Sequence, residues 1–195
     1  MTLLAEAPPA IRTVLHVGCG MADPRKLPPA FFAPEAWREV RLDIDPGVAP
    51  DIVATITDMA AVGTASVDAV WSAHNLEHLF AHEVPLALAE FRRVLRPEGI
   101  ALITVPDLQR AAELVAQDRL AEPAYISPAG PIAPLDMLYG HGAAIAAGNH
   151  FMAHRTGFTA RTLEAALVGA GFGIVRVVRD DAFALWATAF VSPAG

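Results

Sequence analysis

The sequence is poor in cysteine, lysine and charge. Its single cysteine excludes an internal disulfide and predicts a cytoplasmic protein. Charged residues make up only 18% of the chain; because lysine is nearly absent and the arginines are scattered, no basic stripe indicates nucleic-acid binding. The formal net charge of −7 is compatible with a cationic small-molecule ligand, although net charge alone does not identify one.

Long hydrophobic runs are missing as well. No apolar run reaches the roughly 18 residues that a membrane-spanning helix needs, so we expect no membrane partner. Residues 1–6 lack the basic region and the long apolar segment of a secretory signal. A length of 195 residues, with no internal repeat, predicts one domain over residues 1–195 that buries a sizeable core.

A glycine turn follows the first apolar run. Residues 14–20 read VLHVGCG, which indicates a buried strand ending in a tight turn whose backbone a ligand can approach closely. The next strand candidate ends in Asp43, 23 residues after Gly20. A glycine turn beside a carboxylate at the end of the neighbouring strand is typical of a nucleotide site, because the acid accepts hydrogen bonds from ribose hydroxyls.

Apolar runs and helical patterns alternate along the chain. This alternation predicts an α/β fold with a doubly wound, mostly parallel, Rossmann-like sheet of seven strands. The last two strands are joined too tightly to run parallel, so the last strand is predicted to be antiparallel. The predicted strands are 13–17, 39–43, 51–54, 67–72, 99–105, 173–179 and 185–191.

Three helices are predicted from their apolar spacing and their caps. Residues 83–95 carry one apolar face, and Asp107 is a plausible cap for a helix through about residue 120. Thr159 caps a third helix, which Gly171 ends.

Two segments interrupt the alternation. Four prolines within residues 24–34 oppose a full helix there, so the first helix is predicted to be shortened. Residues 121–157 form a long connection rich in proline, glycine and histidine, which favours a lid or binding loop.

Five segments between residues 14 and 106 carry a family resemblance. The longest are VDAVWSAHNLEH at 67–78 and EFRRVLRPEGI at 90–100, and the shorter ones are residues 14–20, LDIDP at 42–46, and Asp58-Met59. Together they resemble a class I S-adenosylmethionine-dependent methyltransferase, closest to the small bacterial methyltransferases of type 11. The first motif departs from the family pattern, because it lacks a third glycine and has His16 where an acid is usual.

The resemblance implies S-adenosylmethionine as the cofactor and S-adenosylhomocysteine as its product, held at the carboxyl ends of the strands. It implies that Asp43 binds the ribose hydroxyls, with Asp45 as the neighbouring alternative. Asp58 is implied to contact the adenine amine and Met59 to pack on the ring, although core filling also explains a methionine. The implied cofactor-binding residues are Gly18, Cys19, Gly20, Asp43, Asp58, Met59 and His74.

The densest polar cluster follows the fourth strand and comprises His74, Glu77, His78 and His82. Three interpretations stay open. The cluster lines an acceptor pocket with His74 or His78 as proton acceptor, or it bonds loop backbone in a structural role, or it binds a metal through histidines one turn apart. Because the His78/His82 pair has no third ligand at a spacing typical of metal-binding motifs, no metal site is predicted.

A second polar and aromatic concentration spans residues 135–158, where the family often builds the acceptor side. The alternative is a loop folded onto the body, with histidines that tie down its backbone. The three tryptophans are interpreted as packing residues, and His16 as a satisfied core histidine. The predicted catalytic residues are thus His74, His78 and His154, and the predicted substrate-binding residues are Tyr139, His141 and His150.

These features predict methyl transfer from S-adenosylmethionine to a small-molecule or glycan-type acceptor by in-line displacement. No Asn-Pro-Pro-Tyr-like signature follows the fourth strand, which disfavours planar amide or base nitrogens as acceptors. The main alternative is a catalytically silent methyltransferase-like interaction module. A metal-dependent hydrolase and a nicotinamide-dependent oxidoreductase are weaker alternatives. The segment 121–157 either covers a pocket or contacts a second subunit of a homodimer.

Overall fold

A seven-stranded sheet lies at the centre of the protein. A computed structural model describes residues 10–191, so the prediction about a secretory signal at residues 1–6 lies outside the described residues. The strands are β1 (Arg12–Val17), β2 (Trp37–Asp43), β3 (Ile52–Val53), β4 (Val67–Ala73), β5 (Leu95–Pro106), β6 (Tyr125–Ser127), β7 (Gly130–Ile132), β8 (Ile174–Arg179) and β9 (Ala184–Phe190). The sheet order is β3-β2-β1-β4-β5-β9-β8, and β6 and β7 form a separate hairpin.

The strand directions confirm the predicted fold class. The strands β1 to β5 pair in parallel, whereas β9 runs antiparallel to both of its neighbours, β5 and β8. All seven predicted strands are present in the sheet. The β6–β7 hairpin was not predicted, because strands of three residues are too short to show an alternating pattern.

The described chain contains five α-helices: α1 (Val84–Val94), α2 (Leu108–Val115), α3 (Pro134–Tyr139), α4 (Gly142–Ala146) and α5 (Ala160–Gly169). None of these helices is long and apolar enough to cross a bilayer. The helix that Asp107 caps ends well before residue 120. It ends early because Asp118 takes a left-handed conformation, with a φ of 59°, and the Leu114 carbonyl accepts a hydrogen bond from the Arg119 amide.

Helices α1 and α5 pack on one face of the sheet and form most of the core. Leu88 and Phe91 of α1 are fully buried, as are Leu163 and Leu167 of α5. Each such side chain contributes about 1.5–3 kcal/mol by leaving water. This packing fixes the strands whose carboxyl ends carry the predicted site.

The opposite face is covered without a first helix. Between β1 and β2 the chain has one 3-10 turn, Pro24–Lys26, and no α-helix, which confirms the predicted shortening. Phe32 of this segment is 2% exposed and meets Trp37 edge to face, with ring centroids 5.1 Å apart. The indole nitrogen Nε1 of Trp71 donates to the Lys26 carbonyl at 2.9 Å. Aromatic side chains therefore cover the face that a helix would otherwise occupy.

His16 lies buried on this face and predicts a pH dependence of stability. It is 2% exposed, its Nδ1 lies 2.6 Å from Glu39 Oε1, and burial lowers its pKa despite the favourable charge of Glu39. Because its folded pKa is depressed, the unfolded chain takes up the proton first, and stability falls as the pH falls below about 6.5. We expect the melting temperature to drop less between pH 7 and pH 5 in His16→Gln than in the unaltered protein. The exposed His82→Gln variant is the control, and an equal pH slope in all three proteins would contradict the assignment.

Candidate active site

A crevice opens at the carboxyl ends of β1, β2 and β4. This glycine crevice has a volume of about 230 Å³, and Gly18, Gly20, Asp43 and His74 are among its lining residues. Gly18 and Gly20 have φ angles of 61° and 58°, which glycine adopts without strain. A Cβ on Gly18 would lie 2.6 Å from the Asn75 side chain, so glycine at this position also makes the close packing of the turn sterically feasible.

Two cationic side chains hold the carbonyl groups of the glycine turn. Lys26 Nζ donates to the carbonyl oxygens of Cys19 and Met21 at 3.0 and 2.9 Å. Arg41 Nη2 donates to the Gly20 carbonyl at 2.5 Å. Hydrogen bonds from charged donors are stronger than those from neutral ones. These two side chains therefore fix the turn where the first helix is reduced to a single 3-10 turn.

Asp43 connects the ends of β1 and β2. Its Oδ2 accepts a hydrogen bond from the Gly20 amide at 2.7 Å, and its Oδ1 accepts one from the Asp45 amide at 2.9 Å. The residue is 9% exposed and borders the crevice. Each carboxylate oxygen has a second lone pair, so the group is both fixed and free to accept from a ligand hydroxyl. Asp45 also borders the crevice, but its carboxylate caps the turn Pro46–Val48.

The other predicted cofactor residues lie around the crevice rather than on its surface. Cys19 is 1% exposed, and burial raises the pKa of its thiol, which makes it a poor nucleophile. Asp58 is exposed, and Met59 is fully buried in the core. Thr55 and Ile56 are the nearby residues that line the crevice. The adenine roles of Asp58 and Met59 stay predictions.

A larger cavity, of about 460 Å³, adjoins the crevice. This histidine cavity lies between the ends of β4 and β5, the β6–β7 hairpin, α3 and the β8–β9 turn. No lysine or arginine of the described chain lines it; its titratable side chains are histidines, carboxylates and one tyrosine. Its apolar and aromatic wall is formed mainly by Pro106, Tyr125, Ile126, Pro128, Ile132, Met137, Met152 and Trp186.

His74, His78 and Met152 border both the glycine crevice and the histidine cavity. They therefore mark the place where a ligand in one space would meet a ligand in the other. His74 has a φ of 47°, which is uncommon for a residue with a side chain, and its amide donates to the Thr104 carbonyl at 2.9 Å. Strained backbone of this kind concentrates at functional sites.

Glu77 is a buried carboxylate behind these histidines. It is 1% exposed, its Oε1 lies 3.3 Å from His74 Nδ1, and neither carboxylate oxygen has a hydrogen-bond partner. Desolvation opposes charge on both residues, although only Glu77 is buried and His74 is exposed. The mutual attraction of His74 and Glu77 outweighs it, raising the pKa of His74 and lowering that of Glu77. The sequence places Glu77 in the polar cluster, but no spacing signals that it is the buried centre of the cluster.

The segment 121–157 brings His154 against His78, with ring centroids 4.9 Å apart. His154 Nδ1 donates to the Met137 carbonyl at 2.9 Å, and burial lowers the pKa of His154. Both ring nitrogens of His78 face backbone carbonyls, Nδ1 that of Ala153 at 3.2 Å and Nε2 that of His74 at 3.1 Å. The three predicted catalytic histidines thus meet at one wall of the histidine cavity.

The predicted substrate-binding residues separate in the structure. His141 lines the histidine cavity. His150 borders a different depression, together with Asp45 and Arg155. Tyr139 is 65% exposed and lines neither space.

Four further cavity residues have no role in the sequence-based prediction. Tyr125 lies on the unpredicted hairpin. Asp136 accepts from the amides of Ala133 and Gly142, and Asp180 accepts from the Trp186 indole at 2.9 Å, so both carboxylates hold the cavity wall. Trp186 does more than pack, because β9 is antiparallel and its first residues reach the same edge as the ends of β4 and β5. The tight link before the last strand is the sequence signal that would have placed Trp186 there.

The fold, and part of the sequence, are similar to those of known proteins. Residues 15–103 match a family model described as a methyltransferase domain. This stretch covers just under half of the chain and is similar in sequence to a methyltransferase domain. No curated protein matches this chain in sequence.

Solved structures share the fold of this chain at low sequence identity. The 1,6-didemethyltoxoflavin-N1-methyltransferase of Burkholderia thailandensis, solved with 1,6-didemethyltoxoflavin and S-adenosylhomocysteine, is 19% identical with a TM-score of 0.54, over 92% of this chain and 70% of that one. The PH0226 protein of Pyrococcus horikoshii is 14% identical with a TM-score of 0.61, over 93% and 82%. A SAM-dependent methyltransferase of Archaeoglobus fulgidus is 14% identical with a TM-score of 0.57, over 92% and 86%.

Proposed function

We propose that this protein is an S-adenosylmethionine-dependent methyltransferase and that it methylates a small, largely apolar molecule bound in the histidine cavity. The observation that carries the proposal is the junction of two spaces at His74, His78 and Met152. One space has the glycine turn and acid that suit an adenosyl group, and the other has an apolar and aromatic wall. A glycan-type acceptor is less suitable, because its many hydroxyls need more polar partners than this wall offers.

The residues of the glycine crevice fit S-adenosylmethionine. The positive φ angles of Gly18 and Gly20 turn backbone toward the crevice without a Cβ. Asp43 keeps two lone pairs for the ribose hydroxyls, and Ile56 supplies apolar surface nearby. When bound, S-adenosylmethionine supplies an electrophilic methyl group on its sulfonium.

The side chains of the histidine cavity orient the acceptor. His74 accepts a hydrogen bond from the hydroxyl or amine that is methylated. The Glu77 carboxylate behind His74 stabilises the positive charge that the imidazole gains with the proton. His78, His141 and His154 contact the polar part of the acceptor. The hairpin and Met152 exclude water, which keeps the acceptor aligned and protects it from competing reactions.

Ligand binding tests the proposed function. We expect S-adenosylhomocysteine and S-adenosylmethionine to raise the melting temperature of the purified protein and to bind with one-to-one stoichiometry by calorimetry, because a ligand of the folded state stabilises it. NAD is the control nucleotide and is expected to have no effect. A protein that binds none of these compounds would be the silent interaction module instead.

His74 is expected to affect turnover without affecting cofactor binding. With small aromatic hydroxyl and amino compounds as acceptors and S-adenosylhomocysteine formation as readout, we expect His74→Ala to lower kcat about tenfold or more. Affinity for S-adenosylhomocysteine is expected to stay within about twofold, because Asp43 and the glycine turn are untouched. His150→Ala, which alters an exposed histidine outside the cavity, is the control. Full activity in His74→Ala would return this histidine to a structural role.

A further inference from the structure

We propose that Glu77, His78 and His154 bind a divalent first-row transition-metal ion, of the zinc type, on the wall of the histidine cavity. Within residues 10–191, these side chains are the one group of three whose ligand-type atoms all lie within 4.8 Å of one another. Two imidazole nitrogens and one carboxylate oxygen form a donor set that zinc and iron(II) sites use. Magnesium prefers oxygen ligands and is the wrong match for this set.

The carboxylate of Glu77 is the first observation that points to a cation. Glu77 is 1% exposed, and neither of its oxygens has a hydrogen-bond partner. His74 Nδ1 lies 3.3 Å from Oε1, which is an ion-pair distance without a hydrogen bond. A buried carboxylate with an unsatisfied oxygen is costly unless a cation compensates it.

The hydrogen bonds of the two histidines are the second observation. A histidine that binds a metal usually donates its other ring N–H to a backbone carbonyl or a carboxylate. His154 does so through Nδ1 to Met137, which leaves Nε2 as a ligand. His78 faces a carbonyl with each nitrogen, although a neutral imidazole has only one N–H to donate. A small rotation of this ring would direct the remaining nitrogen to the ion.

Two segments distant in sequence are fastened together at this point. Glu77 and His78 belong to the 3-10 turn Leu76–His78, and His154 follows the 3-10 turn His150–Met152. The Glu77 carbonyl accepts hydrogen bonds from the amides of Arg155 and Thr156, the shorter at 2.8 Å. The ligand set is therefore held by backbone contacts before any ion binds.

The ion would have open coordination positions, since three protein ligands do not fill a zinc site. All three residues line the histidine cavity, so those positions are accessible from it. This inference rests on the proposed function. The position of the ion then indicates the acceptor class, which is a compound with a hydroxyl or enolic oxygen that coordinates the ion beside His74. The pair His78/His82 is a different arrangement, because His82 is exposed and stacks on Phe80.

Calorimetric titration of the tag-free, chelator-treated protein with zinc chloride tests the site. We expect one zinc ion per chain with a Kd of about 1 µM or lower, and no comparable binding of magnesium. Glu77→Gln and His154→Ala are expected to weaken zinc binding at least about 100-fold. His82→Ala is the matched control and should bind zinc as the unaltered protein does.

Nitrogen NMR of the histidine side chains provides a readout that does not depend on the variants folding. Zinc is expected to shift the ring-nitrogen signals of His78 and His154 and to leave that of His82 unchanged. The proposal is overturned if the unaltered protein binds no zinc, if Glu77→Gln binds it equally well, or if the signals of His78 and His154 do not move. Binding of S-adenosylhomocysteine is measured on the same sample. If S-adenosylhomocysteine binds and zinc does not, the metal site is ruled out while the proposed function is retained.

Discussion

Replacing Asp43 by alanine is expected to weaken the binding of S-adenosylhomocysteine about 100-fold, as measured by calorimetry. The carboxylate would accept hydrogen bonds from the ribose, and bonds to a charged acceptor are worth about 1.5–3 kcal/mol each. The substitution also removes the partner of the Gly20 amide, which lies 2.7 Å from Asp43 Oδ2. Loss of ligand contact and loosening of the turn therefore act in the same direction.

Asp45→Ala is the matched control for this prediction. Asp45 borders the same crevice two residues further on, but its carboxylate caps the turn through the Gly47 amide. We expect its affinity for S-adenosylhomocysteine to change by less than about threefold, and Asp43→Asn, which keeps one acceptor oxygen, to be intermediate. A larger loss in Asp45→Ala than in Asp43→Ala would move the ribose contact to Asp45.

Gly140→Ala is expected to lower the free energy of unfolding by about 3 kcal/mol or more, because two penalties add. Gly140 has a φ of 98°, and a Cβ there would lie 2.0 Å from the Met152 carbonyl oxygen. The backbone pair Gly140–Ala153 would have to open, and His154 would be displaced with it. Thermal unfolding is expected to show a melting temperature lower by about 10 °C.

Gly130→Ala separates the two penalties. Gly130 also has a positive φ, of 112°, but a Cβ there would have no heavy atom within 4 Å. The conformational penalty alone predicts a loss of about 1–2 kcal/mol. Equal destabilisation of the two variants would show that the contact with Met152 has no effect on stability.

The framework of the fold was readable from local patterns. The apolar face of α1, the Thr159 cap and the alternation of strands and helices are properties of short stretches, and each appears in the structure. The Asp43 carboxylate was also predictable, because parallel strands bring their carboxyl ends to one edge. What the pattern could not show is which polar residues are buried there.

The histidine cavity illustrates that limit. Its wall combines the turn after β4 with part of the segment 121–157, and no periodicity links His78 to His154, 76 positions later in the chain. Tyr139 and His150 looked equivalent to His141, since all three are polar or aromatic residues of the same segment. Their separation depends on how short helices and the hairpin fold back, which tertiary packing decides.

The hydrogen bonds from Lys26 to the glycine turn have a practical consequence. Lys26 is the only lysine in the chain, so it is the one lysine side chain that acylating reagents can modify. Acylation removes the charge that holds two carbonyl groups beside the crevice. Labelling of lysine therefore reports on a single position, and the degree to which a bound nucleoside protects Lys26 measures how closely this side chain is linked to ligand binding.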